Sequence, residues 1–246
     1  MIENNLQHDN ITPYNHTESK KEQVEEMFDN IAERYDLLNH VLSMKIDVSW
    51  RNKLVKWVSQ EKPQSILDVA TGTGDLAIVL QKGTKADIVG YDLSQKMLNI
   101  GIEKVEKAGL GNHIKMVKGD AEKIPFENDS FDIVTSAFGV RNFENLSEGL
   151  KEMHRVVKSG GSIYILEFSK VKGVFGSIFN FYFKNILPKI GKIISKDLRA
   201  YTYLHDSANA FPYGEEMKKI LLNVGFKKVE YKKLTFGISS IYKATK

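Results

Sequence analysis

The chain changes texture near Pro63. Before it, apolar residues recur every three or four positions: Val24, Phe28, Ile31, Tyr35 and Leu38 mark one face of a helix starting near Lys21. Trp50, Leu54 and Trp57 mark one side of a second helix, from about 48 to 59. After Pro63, short apolar runs alternate with helical stretches. The runs at 65–70, 86–92, 114–119, 131–137, 161–168, 227–234 and 239–246 read as strands, and the stretches at about 75–82, 94–108, 145–157 and 214–223 as helices. Strands separated by helices imply parallel crossovers and a sheet covered on both faces. Residues 235–238 are too few for a crossover, so the last two strands must pair as an antiparallel hairpin. The pattern predicts one α/β domain over 21–246, with a seven-stranded, mostly parallel sheet, a C-terminal antiparallel hairpin and a helical cap over 21–60. Residues 1–20 are polar and lack an apolar period, so they read as a mobile tail.

One segment stands apart. In GVFGSIFNFYFKNILPKIGKII (173–194), Phe175, Phe179, Tyr182, Phe183, Ile186 and Leu187 fall at helical spacing, interrupted by Lys184, Lys189 and Lys192 and broken by Pro188. It is too polar and too broken to span a bilayer, but an aromatic face beside lysines suits a membrane surface. Residues 173–210 are therefore expected to be an insertion or cap; an ordinary helix over the sheet edge explains the same spacing.

Composition narrows the chemistry. The chain of 246 residues has no cysteine, which excludes disulfides, thiolate nucleophiles and cysteine-held metals. Its six histidines, at 8, 16, 40, 113, 154 and 205, show no metal-ligand spacing, so no metal is expected. A net charge of +4 is too small for a nucleic-acid-binding signature. The first residues contain no basic region followed by an apolar run, so a cytoplasmic location is expected.

The stretch ILDVATGTGDLA (66–77) matches G-x-G-x-x-A at Gly72, Gly74 and Ala77, and Asp92 follows the first glycine by twenty residues. That is the letter pattern of a dinucleotide-binding turn. Three acids bear on the ligand. Asp68 sits in the strand where dinucleotide folds generally place an apolar residue or glycine, and suits a ligand with an ammonium group. Asp92 can accept both hydroxyls of a ribose and serves either ligand equally. Asp120 and Ala121, in GDAEKIPF after the third strand, offer an acceptor and a backbone amide to an adenine. With the terminal hairpin, these features favour S-adenosylmethionine over a nicotinamide dinucleotide.

The chain from about 24 to the C-terminus resembles the class I S-adenosylmethionine-dependent methyltransferases, and within them the UbiE/MenG family of quinone C-methyltransferases. The resemblance rests on YDLLNHVLSMKIDVSW (35–50), ILDVATGTGDLA, GDAEKIPF, FGVRNFENLSEGLKEMHRVVKSGG (138–161), ILEFS (165–169) and YTYLHDSANAFPYGEEM (201–217). Three positions depart from the family pattern: Asp47 stands where many members have His, Leu38 where Met is common, and Ser159 where a turn proline is usual. The resemblance implies a Rossmann-like fold. It makes Thr73, Asp92, Asp120 and Ala121 cofactor contacts, with Gly72 and Gly74 shaping the turn and Asp68 a further contact to the cofactor's amino group.

It also implies methyl transfer to a ring carbon of a prenylated hydroquinone, a lipophilic substrate. Asp47 with Trp50 resembles the menaquinone branch, so demethylmenaquinol is the expected acceptor and a ubiquinone precursor the alternative. A peripheral position on the inner face of the membrane follows from that substrate, while homodimerisation stays open. Arg141, with Asn142 supporting it, is the candidate for holding the acceptor's oxyanion; pairing with Asp132 or Glu144 as scaffold is the competing assignment. His205 and Tyr203 are the candidate proton acceptors, and Tyr35 and Asp36 lie where they could close over the site. An NAD-dependent oxidoreductase and a non-catalytic S-adenosylmethionine-binding module are the rival classes, which calorimetric titration separates.

Overall fold

The computed structural model describes residues 7–14, 17–43, 45–170 and 198–246. Helices α1 (Lys20–Leu42) and α2 (Ile46–Val58) precede β1 (Ser65–Val69), α3 (Asp75–Thr84), β2 (Asp87–Asp92), α4 (Gln95–Lys107) and β3 (Ile114–Lys118). Then follow β4 (Phe131–Ala137), α5 (Leu146–Val156), β5 (Val157–Phe168), α6 (Leu198–Ala210), α7 (Glu215–Val224), β6 (Lys228–Leu234) and β7 (Ser239–Thr245). All seven expected strands are present, in the order β3-β2-β1-β4-β5-β7-β6.

The chain's last strand lies inside the sheet. β7 pairs antiparallel with β5 on one side and β6 on the other, with Leu166 opposite Ile241 and Tyr231 opposite Tyr242. The remaining pairs are parallel. From β1 the chain winds outward to β2 and β3, then returns to β4 on β1's other side. A crevice therefore opens at the carboxyl ends of β1 and β4, where open α/β sheets bind ligands.

Both faces are covered, so the strands read as apolar runs rather than alternating ones. Ile66, Ile88 and Ile133 pack under α2 and α3 with Trp50, Leu54, Leu76 and Leu80. Leu67, Val69, Val134 and Ile165 pack under α5 and α7 with Leu150, Met153, Met217 and Leu221. Local capping marks the helix starts: the Ser94 hydroxyl accepts the Met97 N–H at 3.1 Å and the Asn145 side chain that of Glu148 at 3.1 Å. Asp47, the departure from the family pattern, is buried and pairs with Arg51, whose guanidinium also lies 3.8 Å from Asp75 in the first turn of α3. It braces that turn.

Part of the stretch read as a tail is packed. Residues Gln7–Asn10 form a 3-10 turn in which His8 and Asp9 are buried, and Tyr14 is buried beneath α1. The His8 ring stands edge-on to Phe211, 5.6 Å between centroids, and the His8 carbonyl accepts the Lys20 ammonium at 3.0 Å. So short a segment has no period to read; only its tertiary neighbours order it. The aromatic segment 173–194 lies outside the described residues, and of the expected cap only α6 is seen. Among the described residues no helix is long and apolar enough to cross a membrane.

Candidate active site

The loop after β1 is built from left-handed backbone. Gly72 (φ 57°) and Gly74 (φ 77°) adopt it without steric cost, and α3 starts at Gly74 with no side-chain cap. Ala70 adopts it too (φ 55°), as does Phe138 (φ 58°) beyond β4. Non-glycine residues held there are strained. The two sit at the tips of neighbouring strands, and both line one cleft of about 700 Å³, open mouth included.

The acids around the loop divide by role. Asp68 is buried, and its two oxygens accept the hydroxyls of Thr71 and Thr135, each at 2.6 Å. It therefore braces the loop from beneath. Asp92 lines the cleft with its carboxylate already aimed: Oδ2 accepts the Gly72 N–H at 2.7 Å and Oδ1 the Ser94 N–H at 2.9 Å. Burial raises both carboxyls to about 6, partly offset by these hydrogen bonds.

Asp120 and Ala121 form the opposite wall. Asp120 Oδ1 accepts the Glu122 N–H at 2.9 Å, and Oδ2 takes the Lys21 ammonium of α1 at 3.0 Å. Helix α1 roofs the cleft with Val24, Phe28 and Tyr35 and is tied down along one face. Glu25 accepts from Lys118 at 2.7 Å, Asp29 from the Ser94 hydroxyl at 2.6 Å and Asp36 from the Thr73 hydroxyl at 2.6 Å. Thr73 also receives Lys104 at 3.2 Å. Its hydroxyl thus donates to α1 and accepts from α4, tying the loop to both helices.

Beyond β4 the 3-10 turn Val140–Asn142 carries Arg141 and Asn142, both buried. Gly139 before it touches the tip of β1: an added Cβ would lie 2.4 Å from the Ala70 Cβ and 2.8 Å from Ser136 Oγ. Gly139→Ala is therefore expected to push the two tips apart and cost about 1–3 kcal/mol, read as a lower urea midpoint. An unchanged midpoint would show that the tips yield freely.

Arg141 pairs with neither Asp132 nor Glu144. Its Nη1 donates to the Phe138 carbonyl and to Glu167 of β5, at 3.1 and 3.3 Å from the two carboxylate oxygens. Asp132 instead accepts the Lys158 ammonium at 2.7 Å and the Gln64 and Ser65 amides. Arg141 Nε, Asn142 Oδ1 and the Tyr203 hydroxyl are all buried without a hydrogen-bond partner. Tyr203 is close enough to Arg141 and Glu167 to feel both charges, and burial raises its hydroxyl above the usual tyrosine value. It stays protonated, so the structure does not support it as a proton acceptor. His205 is not part of this group: its Nδ1 meets Asp206 at 2.9 Å and its Nε2 the Asn209 amide at 2.9 Å, within α6.

Of the residues singled out from the sequence, Gly72, Asp92, Asp120, Ala121 and Asn142 line the cleft, whereas Asp68 lies beneath the loop and Arg141 sits beside Asn142 in the turn beyond β4; Glu167 and Lys21 were not singled out. Glu167 carried the same signal as Asp68, an acid inside an apolar strand. Lys21 and Lys20 carried none; Lys20 is buried, and desolvation lowers its ammonium to about 8. Tyr35, expected to close over the site, lines the cleft, and an added Cβ at Gly72 would lie 4.0 Å from its ring.

This sheet order, with a glycine loop at the switch point and acids at the ends of β1 and β2, is the fold of S-adenosylmethionine-dependent methyltransferases. A methyltransferase of that type from Thermotoga maritima superposes with a TM-score of 0.65 at 17% identity, over 90% of this chain and 99% of that one. Haemonchus contortus phosphoethanolamine N-methyltransferase 2 gives 0.60 at 17%, over 79% of this chain and 52% of that one. The model of the ubiE/COQ5 methyltransferase family matches residues 16–246, and the chain belongs to that family. It is therefore a methyltransferase that uses S-adenosylmethionine. Among its relatives, a Bacteroides fragilis protein named demethylmenaquinone methyltransferase is 46% identical, over 98% of this chain and all of its own. Its namesake in Porphyromonas gingivalis is 42% identical, over 96% and 98%. A Geotalea daltonii protein named ubiquinone/menaquinone biosynthesis C-methyltransferase UbiE is 46% identical, over 92% and 97%.

Proposed function

We propose that the protein methylates a ring carbon of a prenylated hydroquinone, with demethylmenaquinol as its acceptor. Relatives bearing that enzyme's name at 42% and 46% identity over nearly the whole chain support the reading. The observation that carries it is the buried, unpartnered set at the end of β4: Arg141 Nε–H, Asn142 Oδ1 and the Tyr203 hydroxyl. A cation with a free donor, beside an amide oxygen and a phenol, suits an aromatic oxyanion and its neighbouring hydroxyl.

The residues present fit the cofactor. Asp92, aimed by two backbone amides, would accept the ribose hydroxyls; the adenine amino group would replace the Lys21 ammonium on Asp120, with Ala121 beside it. Gly72 and Gly74 let the backbone approach, and Asp68 supplies negative charge beneath the ammonium end. When bound, S-adenosylmethionine supplies a methyl group already activated on a sulfonium. What the protein adds is alignment and charge. Arg141 would hold the quinol oxygen as phenolate, which concentrates electron density on the attacking ring carbon. Val24, Phe28 and Tyr35 exclude water from above. The substrate resides in lipid, so the enzyme works at the membrane's inner face.

Purified enzyme is expected to transfer labelled methyl to demethylmenaquinol and not to a ubiquinone precursor; the reverse preference would sink the assignment. Demethylated menaquinone should accumulate in a strain lacking the gene. Cofactor affinity should also depend on acidity, because Asp92 must be ionised to accept hydroxyls and its carboxyl is held at about 6. Calorimetric titration is expected to show affinity constant above pH 7 and falling roughly tenfold per unit well below 6. The sign reverses for the unliganded fold: a raised carboxyl takes its proton in the folded state first, so these two acids favour the fold as pH drops from about 6 towards 4.

A further inference from the structure

A buried arginine and glutamate that existed only for each other would meet edge to edge, with two parallel N–H bonds. Arg141 and Glu167 do not. Both Glu167 oxygens face the single nitrogen Nη1, at 3.1 and 3.3 Å, and the same nitrogen donates to the Phe138 carbonyl. The two hydrogens of Nη1 are thereby used. The opposite edge of the planar guanidinium, formed by Nε–H and Nη2, has no acceptor among the described residues, and Nε is buried. That edge is the fork that matches an oxyanion.

Glu167 is itself held. It has no exposed surface, and its Oε1 accepts the Phe168 N–H at 2.9 Å, while the Phe168 ring lies 5.4 Å from Arg141 Cζ. Backbone, carboxylate and ring together leave the guanidinium little freedom to turn. We infer that Glu167 is a positioning residue: by clamping Arg141 through Nη1, it keeps the Nε–Nη2 fork open and fixed for an aromatic oxyanion. The inference rests on the reading of Arg141 as the group that holds the acceptor.

The test is a double-mutant cycle on oxyanion binding, with methyl transfer measured in parallel. Wild type, Glu167→Gln, Arg141→Met and the double variant, each saturated with S-adenosylhomocysteine, are titrated with 2-hydroxy-1,4-naphthoquinone, an air-stable anionic naphthoquinone. Nitrogen-15 side-chain spectra follow the Arg141 Nε–H. Wild type is expected to bind with a shift of that resonance. Glu167→Gln should weaken binding about tenfold, Arg141→Met about a hundredfold, and the double variant no more than Arg141→Met alone. Affinity for S-adenosylhomocysteine should stay within about twofold throughout, and turnover of Glu167→Gln should fall in kcat rather than in KM for S-adenosylmethionine.

Wild-type binding by Glu167→Gln, a further tenfold loss when Glu167→Gln is added to Arg141→Met, or no Arg141-dependent binding at all would overturn the clamp. Oxyanion binding through Arg141 without methylation of the quinol would sink the proposed function and leave the clamp standing. If Glu167→Gln folds poorly, Glu167→Asp, one methylene short of Nη1, supplies the same comparison. The double variant carries neither buried charge and is expected to fold.

Discussion

Arg141→Lys is expected to lower kcat for methyl transfer by about 10²–10³-fold, the usual loss when a preorganised oxyanion donor is removed. Lysine keeps the positive charge beside Glu167, so the pair stays neutral and the fold should survive. What it loses is the planar fork, because an ammonium engaged with Glu167 and the Phe138 carbonyl has no second edge to offer. Affinity for S-adenosylmethionine should hardly change, since the cofactor's expected contacts lie on β1, β2 and the turn after β3. Single-turnover rates with demethylmenaquinol, beside a cofactor titration, give the two numbers. A lysine variant within about threefold of wild type would show that charge alone suffices and that the fork has no role.

Asp92→Ala is expected to weaken S-adenosylmethionine binding by at least about a hundredfold. Two ribose hydroxyls would lose a charged acceptor, each such bond being worth about 1.5–3 kcal/mol. The Gly72 and Ser94 amides lose their acceptor as well, so the loop's aim is lost together with the contact. Asp92→Glu serves as the control, keeping the charge but moving it one methylene further out. Calorimetry at pH 7.5 would decide; an alanine variant that binds within about threefold of wild type would remove Asp92 from the ribose. At that pH the wild-type carboxyl, held at about 6, is ionised, so protonation does not confuse the comparison.

Much of this molecule was legible because its signals are local. Helical and strand periods marked every element of the sheet, and the four residues between the last strands forced a hairpin. The cleft was legible for a topological reason: strand ends at a switch point are concave whatever side chains they carry. Asp68 and Asp92 announced themselves as acids in or beside apolar strands. Glu167 sent the same message from ILEFS, yet its partner lies 26 residues away in sequence, and nothing in the period of β5 names it.

The roles of polar side chains were much less legible. Thr73 reads as a cofactor contact, but its hydroxyl ties the loop to Asp36 of α1. Asp47 reads as a mark of substrate branch, and the fold adds what the sequence does not show, that it is buried against Arg51 and braces α3. His205 and Tyr203 stand two residues apart in one motif; the helix turns one towards its own Asp206 and Asn209 and buries the other near Arg141. A residue type and a position state what a group can do, whereas its partner sets what remains free to do.

By itself, then, the sequence determined the class of fold, the glycine turn, the acids that flank it and the family. Hydrophobic period and backbone conformation are properties of neighbouring residues, and motifs are contiguous. Only the tertiary structure decided that residues 7–14 pack, that α1 roofs the cleft, and that Glu167 takes one nitrogen of Arg141 and leaves a fork free. Those outcomes depend on which groups meet across the sheet's end after folding, and hydrogen-bond partners are settled by distance in space, which no spacing along the chain encodes.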